Sequence, residues 1–196
     1  MNELEAALKL LAWMLVDGRT GALFILLVIA AVSDYRTLRI PNWLTASGTA
    51  YALIYTALSP FHRDEGLLWA VYGMLIGFSV MLLPYLMRIM GAGDVKLMAM
   101  VGAFLGLNGI FGALLYVMAT GGLSAILYTV ARRKTGQLFS NVGHLSQNAA
   151  YMTLAGMLPT LDVHAQSWKS VGRMPYGVSI AIGTVLYIGA RQLGLA

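Results

Sequence analysis

Residues 67–87 read LLWAVYGMLIGFSVMLLPYLM, a continuous apolar run without a single charged side chain. A helix that spans a bilayer needs about 20 mostly apolar residues, because the hydrocarbon core is about 30 Å thick and each helical residue rises about 1.5 Å. This stretch meets that requirement. Residues 67–87 are therefore predicted to form a transmembrane helix.

The composition of the whole chain agrees with a membrane protein. Of its 196 residues, 59% are hydrophobic and 11% are charged, whereas typical soluble domains have about 45–50% and about 25%. So few charges cannot cover a soluble surface, and the apolar content excludes disorder. The absence of Cys excludes a disulfide scaffold. Although the net charge is +5, the basic residues form short clusters between apolar runs, which indicates a lipid bilayer as partner and no nucleic acid.

The apolar runs predict an all-α, polytopic membrane protein with about six transmembrane helices. The other five candidate spans are 20–35, 42–59, 95–108, 109–131 and 175–194. Residues 4–16 are too short to span and carry a Glu–Lys pair four residues apart, which favours an interfacial helix within an N-terminal segment, 1–19. Residues 132–174 are expected to form a cytoplasmic loop with an amphipathic stretch. No linker is apparent, so 1–196 is interpreted as one membrane-embedded domain.

The distribution of Lys and Arg predicts the orientation. With six spans, the loops alternate between the two sides of the membrane. One side then carries nine of the 13 basic residues, namely Arg36, Arg39, Arg88, Lys96, Arg132, Arg133, Lys134, Lys169 and Arg173. The other side carries Lys9, Arg19, Arg63 and Arg191. Because cytoplasmic loops are enriched in Lys and Arg, the first side is expected to be cytoplasmic and both termini external.

Two acidic residues, Asp34 and Asp94, stand out because they border apolar helices, and ionisable groups at membrane depth are candidates for function. In the predicted topology both lie at cytoplasmic helix ends, at the same depth. Two such aspartates can share one water molecule. One carboxylate then takes a proton from the water while the other, protonated, polarises a scissile carbonyl. The pair is therefore a candidate aspartyl protease site.

The residues around the two aspartates admit both functional and structural interpretations. Gly91 and Gly93 leave room for an extended substrate backbone beside Asp94, or they simply pack helices closely. Lys96 either influences Asp94, meets an acidic residue of the substrate, or anchors the helix at the membrane surface. In Ile40-Pro41-Asn42, the proline marks the start of the second span.

At these positions the sequence resembles the type IV prepilin peptidase family of GxGD membrane aspartyl proteases. The resemblance rests on Asp34 followed by IPN at 40–42, on GAGDVKL at 91–97, and on PYG at 175–177, in this order over roughly residues 20–190. It implies that Asp34 and Asp94 form the catalytic pair. It also implies cleavage of a prepilin leader just after a glycine, at the cytoplasmic face of the bacterial inner membrane. The PYG element is expected to shape the start of the last helix.

The chain departs from longer members of that family, which carry paired cysteines that bind zinc and which also methylate the new pilin N-terminus. It has no Cys, so a zinc knuckle is excluded and methyltransferase activity is not expected. The short form resembles peptidases of tight-adherence (Flp-type) pili, with a pilin or pseudopilin as substrate, or archaeal preflagellin peptidases. The three His residues lack ligand spacing, and no metal or cofactor is expected.

Three alternatives remain open on sequence grounds. A presenilin-like or signal-peptide-peptidase-like intramembrane protease also uses GxGD, but such proteins are longer. A small proton-coupled transporter would use Asp34 and Asp94 as proton carriers, and it predicts an internal repeat and aspartates near mid-membrane. A catalytically inactive homologue would act only as an assembly partner.

Overall fold

The computed structural model describes residues 18–58, 66–86, 90–131 and 175–194. They form α1 (Gly18–Thr37), α2 (Asn42–Leu58), α3 (Leu67–Leu86), α4 (Ala92–Ala131) and α5 (Tyr176–Gln192). These residues contain helix and turn but no strand, which confirms the predicted all-α class. The interfacial helix predicted at 4–16 and the loop predicted at 132–174 lie outside the described residues.

The helices follow the predicted spans closely. α1 begins at Gly18 and so includes Gly18 and Arg19, which the prediction had placed in the interfacial segment. Three helical stretches are long and apolar enough to cross a membrane, namely α1, α3 and residues Ala92–Tyr128 of α4. α2 and α5 have 17 residues each, somewhat fewer than the usual span. The count of six spans therefore stays a prediction.

By its internal contacts the chain divides into two compact units. The first comprises Met1–Gly122 and Pro175–Ala196, and the second comprises Leu123–Met174. In the first unit, α1 packs against both α5 and α2, and α2 packs against α3. Every residue of the candidate site described below belongs to this first unit. The interpretation of 1–196 as one domain stays a prediction.

α4 is interrupted by a kink at Gly106, which has φ 65° and ψ −169°. That backbone conformation is accessible essentially only to glycine. The kink divides α4 into two limbs, which correspond to the predicted fourth and fifth spans. The break lies at Gly106 and not between residues 108 and 109 as predicted, and the first limb already begins at Ala92. Asp94 therefore lies in the first turn of this limb, at a helix end as predicted.

Glycines let α3 approach the first limb of α4 closely. A Cβ atom at Gly73 would overlap the carbonyl oxygen of Gly102, and a Cβ at Gly102 would overlap that of Gly73. One turn along α3, a Cβ at Gly77 would lie 2.6 Å from the Met98 carbonyl oxygen. Small residues at such crossings are typical of membrane helix packing. Here they fix the position of the limb that carries Asp94.

Gly106→Ala is expected to lower the free energy of unfolding by roughly 2–6 kcal/mol, from backbone strain together with overpacking. A Cβ at this position would overlap the indole ring of Trp69. The measurement is the thermal unfolding midpoint of the purified protein in detergent. Gly122→Ala is the matched control, since a Cβ there meets nothing within 4 Å. An unfolding midpoint equal to that of the wild type for Gly106→Ala would contradict the kink.

Candidate active site

The connection between α1 and α2, residues 38–41, is a tight turn that begins four residues after Asp34. The backbone N–H of Leu38 donates to the Asp34 carbonyl oxygen at 2.8 Å, and Leu38 itself has a φ of 51°, which is uncommon for a residue with a side chain. The Ser33 and Thr37 hydroxyls both donate to the Arg39 carbonyl oxygen, at 2.9 and 3.2 Å. These hydrogen bonds hold the turn in one shape.

Ser33 and Thr37 were not among the predicted site residues. They lie four residues apart on α1, and Thr37 Oγ1 also donates to the Ser33 carbonyl oxygen at 2.8 Å. Hydroxyl residues at this spacing in the last turn of a helix are a usable signal, because their side chains can bond to local carbonyl groups. Both residues support the candidate site indirectly, because they stabilise the turn between α1 and α2.

Asp34 is buried, with 5% of its surface exposed, and its carboxylate faces the start of α5. The backbone N–H of Gly177 donates to Asp34 Oδ2 at 2.7 Å, and the N–H of Val178 is a second backbone donor to this carboxylate. The first N–H groups of a helix have no partner within the helix and favour a negative charge. The N-terminus of α5 therefore supplies the donors that a buried carboxylate requires.

Asp94 is also buried, with 7% of its surface exposed, and it lies in the first turn of α4. Its Oδ2 accepts the backbone N–H of Gly91 at 3.0 Å, while its own N–H donates to the Gly91 carbonyl oxygen at 3.1 Å. A carboxylate in the third helical position that reaches back to the residue before the helix is half of a capping box. The spacing from Gly91 to Asp94 thus begins the helix and orients the carboxylate.

The two aspartates come together although they are far apart in sequence. Their carboxylates are close enough for the charge of Asp34 to act on Asp94. The phenol of Tyr176 lies within reach of the Asp94 charge as well, and the next residue, Gly177, donates to Asp34. The start of α5 therefore binds Asp34 and lies within electrostatic range of Asp94. The PYG element was predicted only to shape the start of this helix.

The two glycines before Asp94 have different environments. A Cβ at Gly91 would meet only Asp94 Oδ2, at 3.5 Å, and Gly93 N, at 3.9 Å, and Gly91 is exposed. A Cβ at Gly93 would instead lie 3.2 Å from Ile40 Cβ, so Gly93 packs against the α1–α2 turn. Of the two glycines, Gly91 is therefore the one that leaves open space beside Asp94. The approach of a substrate backbone there stays a prediction.

Lys96, Pro41 and Asn42 connect the two motifs on the exposed side. Lys96 Nζ donates to Asn42 Oδ1 at 2.9 Å, and the Pro41 carbonyl oxygen accepts the N–H of Leu44 at 3.2 Å as α2 begins. Within the described part of the chain, no ion pair joins Lys96 to Asp94. Lys96 therefore links the start of α4 to the start of α2, an arrangement that none of its predicted roles included.

The sequence also matches a known protein family. The sequence model of the type IV leader peptidase family matches residues 21–126, more than half of the chain, including both aspartates. The chain belongs to the type IV leader peptidase family. This confirms the predicted resemblance, and family membership together with the apolar helices indicates a protease that is a multi-pass membrane protein. Neither the search of curated proteins nor the search of solved structures gave a match.

The matched region ends before Tyr176 and Gly177. The part of α5 that holds Asp34 is therefore connected to the leader peptidase site by the structure and not by the family match. It completes the surroundings of Asp34, which lies within the matched region.

Proposed function

We propose that this leader peptidase is an aspartyl endopeptidase that removes the leader of type IV or Flp-type prepilins. The observation that carries the proposal is the pair formed by Asp34 and Asp94. Both carboxylates are buried, each accepts at least one backbone N–H group, and the charge of Asp34 acts on Asp94. Neighbouring buried carboxylates that share a proton are the chemical requirement of aspartyl proteolysis.

In the proposed reaction the two carboxylates hold one proton between them. The ionised carboxylate removes a proton from a water molecule, and the water oxygen attacks the scissile carbonyl carbon while the protonated carboxyl group donates its proton to the carbonyl oxygen. The tetrahedral intermediate then collapses. The carboxyl group that took the proton from water gives it to the nitrogen as the C–N bond breaks, and a hydroxyl of the intermediate gives its proton to the other carboxylate as the new carboxyl product forms. The pair then again holds one proton. No covalent enzyme intermediate and no metal takes part.

The proposed location is the cytoplasmic face of the bacterial inner membrane. Asp34 lies in the last turn of α1 and Asp94 in the first turn of α4. Positions at helix ends suit a peptidase that acts at the membrane surface better than a transporter, whose proton carriers are expected near mid-membrane. The excess of Lys and Arg in the loops on this side supports a cytoplasmic placement.

The proposed substrate is an Flp-type pilin or pseudopilin that is cut just after a glycine, without methylation of the product. This proposal rests on the lack of Cys in the sequence. It remains independent of the assignment of the catalytic pair, because an aspartyl peptidase could serve another pilin or a preflagellin.

The test is incubation of the purified protein with an Flp-type prepilin in detergent, followed by N-terminal sequencing and mass measurement of the product. We expect one cut after the leader glycine, an unmethylated N-terminus and full activity in the presence of a metal chelator. A prepilin whose leader glycine is replaced by a bulky residue is the matched substrate control and should stay uncut. Cleavage that the chelator abolishes would contradict the aspartyl mechanism.

A further inference from the structure

The side chain of Ile40 lies between the two elements that carry the candidate site. A Cβ at Gly93 would lie 3.2 Å from Ile40 Cβ and 3.6 Å from its Cγ1, and a Cβ at Gly177 would lie 3.0 Å from its Cδ1. Ile40 is buried, with 9% of its surface exposed. One side chain therefore faces a glycine of α4 at its base and a glycine of α5 at its tip.

These two glycines are next to the catalytic pair. Gly93 immediately precedes Asp94, and the N–H of Gly177 donates to Asp34 Oδ2 at 2.7 Å. Since neither glycine has a side chain, the space between the two helix starts is filled by Ile40.

Ile40 is itself held firmly. It follows the turn in which the Arg39 carbonyl oxygen accepts the Ser33 and Thr37 hydroxyls, and it precedes Pro41, whose ring restricts the backbone. The β-branch of isoleucine also restricts rotation about its first side-chain bond. A stiff side chain on a fixed turn is suited to hold two helix starts apart.

We propose that Ile40 is a positioning residue that sets the distance between the Asp34 and Asp94 carboxylates. The inference rests on the proposed function of the pair as aspartyl protease groups. Ile40 touches neither substrate nor water in this role, and it acts only through the two glycines. A shorter side chain lets the helix starts approach one another, and a longer one separates them.

The test compares Ile40→Val, which removes Cδ1, with Ile40→Met, which extends further with a similar volume. Both changes are mild in packing terms. We expect kcat for prepilin cleavage to fall about tenfold or more in each variant with KM nearly unchanged, because a displacement of about 1 Å at a catalytic group can cost about 100-fold. Ile110→Val, the same methyl deletion at a fully buried position of the second limb, is the matched control and should keep the wild-type kcat.

The pH dependence of kcat/KM distinguishes spacing from loose packing. The two limbs of the profile report the two protonation steps of the pair, and their separation grows with the repulsion between the carboxylates. Ile40→Val should widen the profile and Ile40→Met should narrow it, each by roughly half a pH unit for a change of about 1 Å. The other ionisable groups at this end are the same in both variants: Tyr176 on α5, Lys96 on α4, and Arg36 and Arg39 at the α1–α2 connection.

A wider pH profile in Ile40→Val together with a narrower one in Ile40→Met supports the proposal. Profiles that stay unchanged, or that shift in the same direction in both variants, overturn it, as does an equal loss of kcat in Ile110→Val. The wild type and Asp94→Asn, assayed in parallel, separate this outcome from a failure of the proposed function. If the wild type cuts and Asp94→Asn does not, the aspartyl proposal stands and only the role of Ile40 is in question.

Discussion

Asp34→Asn and Asp94→Asn are each expected to abolish detectable cleavage of an Flp-type prepilin while the protein stays folded. An amide can neither take a proton from water nor donate one as a carboxyl group does, and acid–base catalysis typically contributes about 10²–10⁴-fold. Asn has nearly the shape of Asp, and its side-chain oxygen can still accept the Gly177 or Gly91 N–H. The measurement is the mobility shift of the co-expressed prepilin.

The control for this experiment is Asp64→Asn, since the sequence places Asp64 in a polar connection between predicted spans. It should cut as well as the wild type. Each variant is also compared for membrane insertion and for thermal unfolding midpoint. If either Asp34→Asn or Asp94→Asn processes the prepilin at the wild-type rate, that aspartate is not part of a catalytic pair. The hypotheses of a proton-coupled transporter and of an inactive assembly partner would then gain support.

Gly177→Ala is expected to reduce prepilin cleavage about 100-fold. A Cβ at this position would lie 2.9 Å from Asp34 Oδ2, 3.1 Å from Asp34 Cβ and 3.0 Å from Ile40 Cδ1. The Asp34 carboxylate therefore has to move away from the start of α5 and weaken the 2.7 Å hydrogen bond from the Gly177 N–H. The measurement is the single-turnover rate of cleavage by the purified variant.

Gly189→Ala lies on the same helix, where a Cβ meets nothing within 4 Å, and it should leave the rate unchanged. Helix propensity favours Ala over Gly at both positions by about 1 kcal/mol, so the comparison isolates the contact with Asp34. A Gly177→Ala variant as active as Gly189→Ala would mean that the start of α5 does not hold Asp34 during the reaction.

The sequence predicted the helices better than it predicted the kink. Apolar runs located α2 and α3 to within a residue at either end, because the length of a membrane helix and its bounding polar residues are local properties. The position of the kink, by contrast, is not a local property of the sequence. The run from Gly102 to Gly109 offers several glycines, and a position at Gly106 is favoured by the Trp69 ring packed against it, a neighbour that no local pattern reveals.

In the candidate site, the two aspartates could be predicted from the sequence, whereas the contacts of the glycines could not. Asp34 and Asp94 could be selected from sequence because charged residues stand out beside apolar runs. Gly93 and Gly177 could not be assigned their contacts, since both face Ile40 and all three lie on different elements. Lys96 likewise binds Asn42, a partner that belongs to the start of α2.

By itself the sequence determined the class of the protein and the approximate ends of its described helices, because composition and hydropathy act along the chain. It also singled out Asp34 and Asp94 as the candidate pair. The three motifs on which the resemblance rests and the family match point to the same leader peptidase class. Only the tertiary structure decided that the start of α5 binds Asp34 and that Ile40 separates Gly93 from Gly177. The physical reason is that hydropathy sets the depth of a residue in the membrane, whereas lateral neighbours are set by packing between helices.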